Sequence, residues 1–263
     1  MKTRPVILTI AGSDSGAGAG VQADARTIHA LGGYAAMAIT AITAQNSLGV
    51  AAWRPVPVDM LAAQIEAVVG DYKVAAIKTG LLPGAAAVRA IVAALKIRPT
   101  LPLVVDPVLG STSGTRFLTE AGVRALKKEL LPRAALVTPN WPEAESLSGL
   151  PVRSFAEAEA AAREILKTGC GAVLVKGGHA PGAKCRDCLA TADGRLRWFE
   201  SPRIATKNAH GTGCVLSAAL ATELGRGAPM VKAVQHARRF LLNALRGGRK
   251  LRLGQGRGPA FAG

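Results

Sequence analysis

Val6-Ile7-Leu8-Thr9-Ile10-Ala11-Gly12-Ser13-Asp14-Ser15-Gly16-Ala17-Gly18-Ala19-Gly20, with the segment Val21 to Leu31 behind it, decides the fold. The short apolar run at its start carries no charge and reads as a buried strand. It empties into a polar, glycine-rich loop, and the helical pattern that follows is stopped by Gly32-Gly33. Strand, loop and helix in that order form the unit of a parallel sheet, because parallel neighbours need a crossover, usually helical.

The unit repeats along the chain. Strands are expected at Tyr34–Thr43, Val74–Ile77, Leu103–Val105, Ala135–Val137 and Ala172–Val175. They exit into Ala44-Gln45-Asn46-Ser47, Lys78-Thr79-Gly80, Asp106-Pro107, Thr138-Pro139-Asn140 and Lys176-Gly177-Gly178-His179 respectively. Trp53 to Val58 holds two prolines and reads as a connection, after which Asp59 caps a helix through roughly Val69. Further helices are expected at Ala85–Leu95, Thr119–Leu130 and Ser154–Leu166, the last capped by Ser154 with Glu157 three residues on. Asp193-Gly194 between two apolar runs, Leu189–Ala192 and Leu196–Phe199, signals a hairpin that interrupts the alternation. Helices near Cys214–Leu224 and Pro229–Leu245 close the pattern, and the glycine-rich stretch 246–263 reads as a loose tail. Near-continuous apolar strands mean a mostly parallel sheet covered on both faces, an α/β architecture.

The whole chain bounds its function. At 263 residues it reads as one α/β domain, 1–263. The N-terminal apolar run is too short for a secretory signal, and no stretch approaches the roughly 20 apolar residues that span a bilayer. The expectation is a cytoplasmic protein without a membrane partner. Four cysteines are too few and scattered for a disulfide framework, and Cys185-Arg186-Asp187-Cys188 lacks the second pair that would complete a zinc set. The net charge of +16 raises the question of nucleic acid. Its positive residues are dispersed, however, and the one cluster, Arg246 to Arg252, has no interleaved aromatics for base stacking. Phosphorylated small molecules suit such a surface better than nucleic acid.

In sheets of this kind ligands sit at the carboxyl ends of the strands. Those ends carry Gly12, Asp14, Gln45, Lys78, Asp106, Asn140 and Lys176. A second glycine motif, Lys207-Asn208-Ala209-His210-Gly211-Thr212-Gly213-Cys214, enters a helix on the same rim. Such a turn aims free N–H groups and the positive end of the helix dipole at one point, which is an anion site. A helix N-terminus also favours the thiolate of Cys214. The first glycine loop is not a dinucleotide fingerprint: Gly16, Gly18 and Gly20 give G-x-G-x-G, and neither the distal acid nor a Walker lysine-serine is present. It reads instead as a cover over a small ligand, with Asp24 facing inward. Asp106 with Asn140 and Glu143, which share a face if a helical turn starts there, offers the oxygen ligands of Mg²⁺. Lys176, after four apolar residues and before two glycines, is placed to meet a nucleotide phosphate. Phosphoryl transfer needs charge neutralisation and positioning above all.

Taken in order, Gly12 to Asp24, Thr43-Ala44-Gln45-Asn46, Ala76 to Gly80, Val104 to Val108, Thr138 to Ala144, Lys176 to His179 and Thr206 to Cys214 resemble the bacterial hydroxymethylpyrimidine/phosphomethylpyrimidine kinases of thiamine biosynthesis. These belong to the ribokinase-like superfamily, and the resemblance covers about residues 5 to 260. It implies a three-layer α/β/α fold, ATP with Mg²⁺, a homodimer, and two successive phosphorylations of 4-amino-5-hydroxymethyl-2-methylpyrimidine. Carried over by position, Gly12, Asp24, Gln45 and Val108 would bind the pyrimidine. Asn140, Lys176, Thr206 and Thr212 would bind ATP, and Asp106 and Glu143 the metal. Gly211 and Gly213 would form the anion hole beside Cys214, the base or hydroxyl-facing group, with Lys176 also catalytic. Thr112 stands where relatives often carry a loop lysine, the tail departs from relatives in composition, and no fused thiamine-phosphate synthase domain is expected. Pyridoxal kinase, a nucleic-acid-binding protein and a nicotinamide oxidoreductase are the competing readings, in descending order.

Overall fold

The computed structural model describes residues 4–110 and 114–261, so Thr112 lies outside the described residues. The strands are β1 (Val6–Asp14), β2 (Tyr34–Gln45), β3 (Val50–Pro55), β4 (Val74–Thr79), β5 (Leu103–Val105), β6 (Leu136–Val137), β7 (Ala172–Val175), β8 (Lys184–Thr191) and β9 (Leu196–Pro202). They form one sheet in the order β3-β2-β1-β4-β5-β6-β7-β8-β9. The six strands from β2 to β7 in that order are parallel, and β3, β8 and β9 add antiparallel edges.

Helices α1 (Gly20–Ala30), α2 (Val58–Asp71), α3 (Ala85–Ala94), α4 (Glu120–Ala125), α5 (Trp141–Ser148), α6 (Phe155–Leu166), α7 (Thr212–Gly225) and α8 (Met230–Gly248) cover both faces. Side chains alternate across a strand, and the two cores divide accordingly. Leu8, Ile10, Val105, Val137, Val173 and Val175 pack with α2, α3, α5 and α6. Their neighbours Ile7, Val104, Leu136 and Leu174 pack with α1, α7 and α8 on the other face. The result is the three-layer α/β/α arrangement. Helix α7 shows why amphipathicity fails as a guide here: Val215 to Glu223 are all buried, since α1 and α8 cover it beside the sheet.

The structure departs from the sequence reading in four places. Trp53–Val58 is not a plain connection: β3 pairs antiparallel with β2, from Ala41 opposite Pro55 to Gln45 opposite Val50. An edge strand tolerates a terminal proline, which has no N–H to donate. Asp59 lies inside the first turn of α2 and Pro57 takes the cap position. The helix expected over Thr119–Leu130 is α4 followed by a wider turn at Leu126–Leu130, with the Thr119 hydroxyl accepting the Gly122 N–H.

The tail is the largest correction. It docks rather than hanging loose: Arg257 N–H donates to Ser47 O (2.9 Å), Ala260 N–H to His210 O (3.1 Å) and Phe261 N–H to Ala244 O (3.0 Å). Asn208 clamps it, donating through Nδ2 to Gly248 O and Leu251 O and accepting the Gly258 N–H. The glycines that suggested looseness permit close approach instead. A Cβ at Gly256 would lie 2.1 Å from Ser47 O, and one at Gly258 2.6 Å from Asn208 Oδ1.

Candidate active site

The carboxyl ends of β1, β2, β4, β5 and β7 open into a cavity of about 970 Å³. Gly12, Gln45, Val108, Asp106, Asn140, Glu143, Lys176, Thr206 and the run Gly211 to Cys214 all line it. Every site residue expected from the sequence is thus brought together except Asp24, which does not line the cavity.

Asp24 is buried beneath the floor. Its Oδ2 lies 2.8 Å from Lys78 Nζ and its Oδ1 3.0 Å, and the Thr9 hydroxyl donates to Oδ2 at 2.5 Å. Burial alone would drive Lys78 toward the neutral amine, but Asp24, with smaller help from Asp106, holds it protonated. Asp24 therefore acts through Lys78, which does reach the cavity. The expectation of an inward-facing aspartate holds for its direction, while direct contact with a cavity ligand does not.

At the end of β1, Asp14 gathers the glycine loop. Its carboxylate accepts the N–H groups of Gly16 (2.8 Å), Gly18 (3.0 Å) and Ala19 (2.8 Å). Burial works to raise its pKa, yet the His210 contact and those N–H groups prevail and hold it below the usual carboxylate range. Gly20 has φ +60°, and a Cβ there would sit 2.3 Å from Gly12 O, so only glycine turns this corner.

Helix α7 begins without a side-chain cap, its N-cap Gly211 left-handed at φ +76°. Its first turn therefore leaves backbone N–H groups uncapped by any side chain at the cavity wall. A Cβ at Gly213 would lie 3.2 Å from Asp106 Oδ2 and 3.4 Å from Lys176 Nζ, so the missing side chain lets the helix start approach the charged pair. Cys214 corrects the sequence reading. Burial pushes its thiol up to about 11, against the opposing pull of Lys78. The helix terminus does not make it a thiolate at neutral pH, because desolvation outweighs it.

Beside it Lys176 Nζ lies 2.8 Å from Asp106 Oδ1 and 3.8 Å from Glu143 Oε2. Burial raises the Asp106 pKa in principle, but Lys176 and Lys78 hold it low. Burial, against Lys176 and with the help of Asp106, pushes Glu143 up to about 7. Asn140 and Glu143 do open a helix, α5, as a reciprocal capping box: Glu143 N–H donates to Asn140 Oδ1 (3.0 Å) and Asn140 N–H to Glu143 Oε2 (2.7 Å). One oxygen of Glu143 and the amide group of Asn140 remain for a ligand. Among the described residues no three His, Cys, Asp or Glu side chains gather as a metal cage. Two carboxylates served by one ammonium nevertheless fit a magnesium ion, which takes one or two carboxylates and completes its shell from phosphates and water.

Two further residues shape the site, and the sequence offered no signal for either. Arg238 of α8 donates to Asp187 Oδ2 at 2.7 Å, and Asp187 accepts the Gly177 N–H at 2.7 Å, fixing the turn behind Lys176. Arg203 donates to the carbonyls of Gly178, Ala180 and Gly182, tying the same turn to the end of β9. Both contacts are tertiary, between segments far apart in the chain. Cys185 and Cys188 are free thiols on β8.

An uncapped helix start facing a lysine between two carboxylates, on the rim of a sheet covered on both faces, suits a small-molecule kinase of the ribokinase-like class. Solved structures agree in fold. The ADP complex of Bacillus subtilis pyridoxal kinase superposes with a TM-score of 0.89 at 32% identity, covering 98% of this chain and 96% of that one. A phosphomethylpyrimidine kinase from Clostridium difficile 630 gives 0.81 at 36% identity, covering 92% and 100%. The hydroxymethylpyrimidine/phosphomethylpyrimidine kinase of Rhizobium meliloti is 46% identical over 256 residues, 97% of this chain and 95% of its own length. The chain belongs to the phosphomethylpyrimidine kinase family, whose profile matches residues 14–261.

Proposed function

We propose that the protein transfers the γ-phosphoryl group of ATP to the hydroxymethyl oxygen of 4-amino-5-hydroxymethyl-2-methylpyrimidine. A second transfer, to the resulting monophosphate, yields the diphosphate used in thiamine biosynthesis. The single observation that carries this reading is the meeting of the Gly211–Cys214 helix start with Lys176 and Asp106 inside one cavity. The family's activity supplies the substrate.

In this reading Gly12, Gln45 and Val108 hold the pyrimidine end. Asn140, Lys176, Thr206 and Thr212 hold the nucleotide end. The N–H groups of Gly211 to Cys214 stabilise the charge that develops on the moving phosphoryl group. Asp106 and Glu143 would hold Mg²⁺, which supplies charge neutralisation across the phosphates when bound. Cys214, a thiol at neutral pH, holds the substrate hydroxyl in line and is not a resident base. In a loose transition state the alcohol proton leaves late and passes to an oxygen of the transferred phosphoryl group as the O–P bond forms, so no strong base is needed.

The resemblance to pyridoxal kinase favours a second reading, phosphorylation of pyridoxal in the same cavity. Steady-state assays with both alcohols separate them: a higher kcat/KM for pyridoxal overturns the pyrimidine assignment. A cytoplasmic homodimer accompanies the main reading. Among the described residues no helix is long and apolar enough to cross a membrane. Tyr34 and Met37 on the uncovered half of β2 are 43% and 40% exposed, an apolar edge suited to a second copy. Light scattering in solution tests the dimer. Nucleic acid has no part in this reading, since Arg249, Lys250 and Arg252 cluster where α8 ends, where cations offset the helix dipole.

A further inference from the structure

His210 stands where three parts of the site meet: the glycine loop after β1, the end of β2 and the start of α7. Its Nε2 is 3.0 Å from Asp14 Oδ2 and 3.0 Å from Gln45 Nε2. One ring nitrogen cannot serve both. With a hydrogen it satisfies the carboxylate and confronts the amide hydrogens. Without one it accepts from Gln45 and confronts the carboxylate. Turning the Gln45 amide over does not remove the conflict, because two oxygens would then compete for one N–H.

The surroundings hold the ring at this junction. His210 N–H donates to Gly258 O and its carbonyl accepts the Ala260 N–H, so the docked tail pins its backbone. A Cβ at Gly18 would lie 2.3 Å from His210 Cδ2, so the absent side chain of Gly18 makes a slot for the imidazole. Gly18 does not need a positive φ, and the slot is its distinguishing constraint. The next residue, Gly211, would place a Cβ 2.1 Å from Gly18 O, which seats the anion-binding turn on the same loop.

We infer that His210 is a positioning residue for the pyrimidine end: it exchanges Gln45 for Asp14 when a heteroaromatic ligand takes the Gln45 amide hydrogens. That exchange locks the glycine loop, whose N–H groups Asp14 already gathers, against the start of α7. The inference rests on the kinase reading above and adds a selection device to it. The ligand class it fits is a ring with an acceptor nitrogen facing Gln45, such as an aminopyrimidine.

The test is a kinetic cycle on the full chain with ATP and the hydroxymethylpyrimidine. Losing a hydrogen bond to a charged partner predicts that H210A raises the pyrimidine KM about tenfold or more. The ATP KM should move by less than about twofold, because the lost bond lies at the pyrimidine end. H210Q, whose amide nitrogen reaches the Nε2 position, should recover most of the loss. G18A should raise the pyrimidine KM by displacing the ring, and G18A/H210A should be no worse than H210A alone, since the two act through one contact. In ¹⁵N spectra of the wild type, the pyrimidine should move His210 Nε2 toward its protonated position. Unchanged pyrimidine KM in H210A and G18A, additive losses in the double variant, or equal rises for both substrates would overturn the inference. A wild type inactive on the pyrimidine would instead overturn the kinase reading, a separate outcome.

Discussion

Two lysine–carboxylate clusters lie at neighbouring strand ends, and they differ in how completely they are paired. Lys78 and Asp24 are one to one and fully buried, and both oxygens of Asp24 are engaged. Lys176 is shared by Asp106 and Glu143 at the cavity wall and stays 15% exposed. The first cluster is paired within itself, and Lys78 alone of the two touches the cavity. The second has one more carboxyl group than ammonium and opens to the cavity, where a cation or a phosphate can complete it. Pairing stoichiometry, not residue type, separates framework from site.

Breaking the closed cluster should cost the most. Lys78→Met leaves a buried carboxylate without its partner, and unfolding in urea should show a loss of about 3–5 kcal/mol. The double variant with Asp24→Leu should regain most of it, because a well-packed apolar pair often replaces a buried ion pair without loss. Breaking the open cluster should show in turnover. Asp106→Asn should lower kcat/KM roughly 10³-fold, about 4 kcal/mol of transition-state stabilisation. Its stability should change less than that of Lys78→Met, since one of the Thr138 and Ser217 hydroxyls, which meet different oxygens of Asp106, can still donate to the amide oxygen.

Cys214→Ala sits between the clusters and sharpens their division. It should reduce kcat roughly 10²-fold while ATP affinity stays nearly constant, since general acid–base and positioning groups contribute at that scale. Its raised pKa gives a sign that can be checked. Site-resolved alkylation of Cys214 should be slow at neutral pH and climb until about pH 11, where the thiolate forms. A plateau reached near pH 8 would make it the resident base. Asn208→Ala should have the smallest effect, about 2 kcal/mol, from three buried polar partners left unpaired. Limited proteolysis should then cut the tail, which is otherwise protected.

Strand ends were legible because a buried parallel strand is an apolar run, and its first polar residue lies on the ligand rim. Leu103–Val105 and Ala172–Val175 occur as read, and Asp106 and Lys176 follow them into the cavity. The Ser154 cap was legible for a local reason, since its hydroxyl accepts the Glu157 N–H within one turn. What escaped depends on packing between distant segments. Proline content hid β3, because only the partner strand shows that Pro55 occupies an edge. Glycine content disguised the tail, since close approach to Ser47 and loose chain have the same composition. Asp24 has the right chemistry for a ligand contact, and only Lys78 standing above it reveals its indirect role. His210 and Arg238 owe their roles to contacts spanning 196 and 51 residues, beyond any local pattern.

The central claim is that the open cluster and the α7 start move phosphoryl groups from ATP onto the pyrimidine alcohol. A coupled assay of ADP release, with the pyrimidine products resolved by anion-exchange chromatography, tests it most directly. The account predicts one ADP per phosphate added, monophosphate appearing first and diphosphate accumulating after it. ATP turnover that does not depend on the pyrimidine, or no phosphorylated pyrimidine at all, would contradict it.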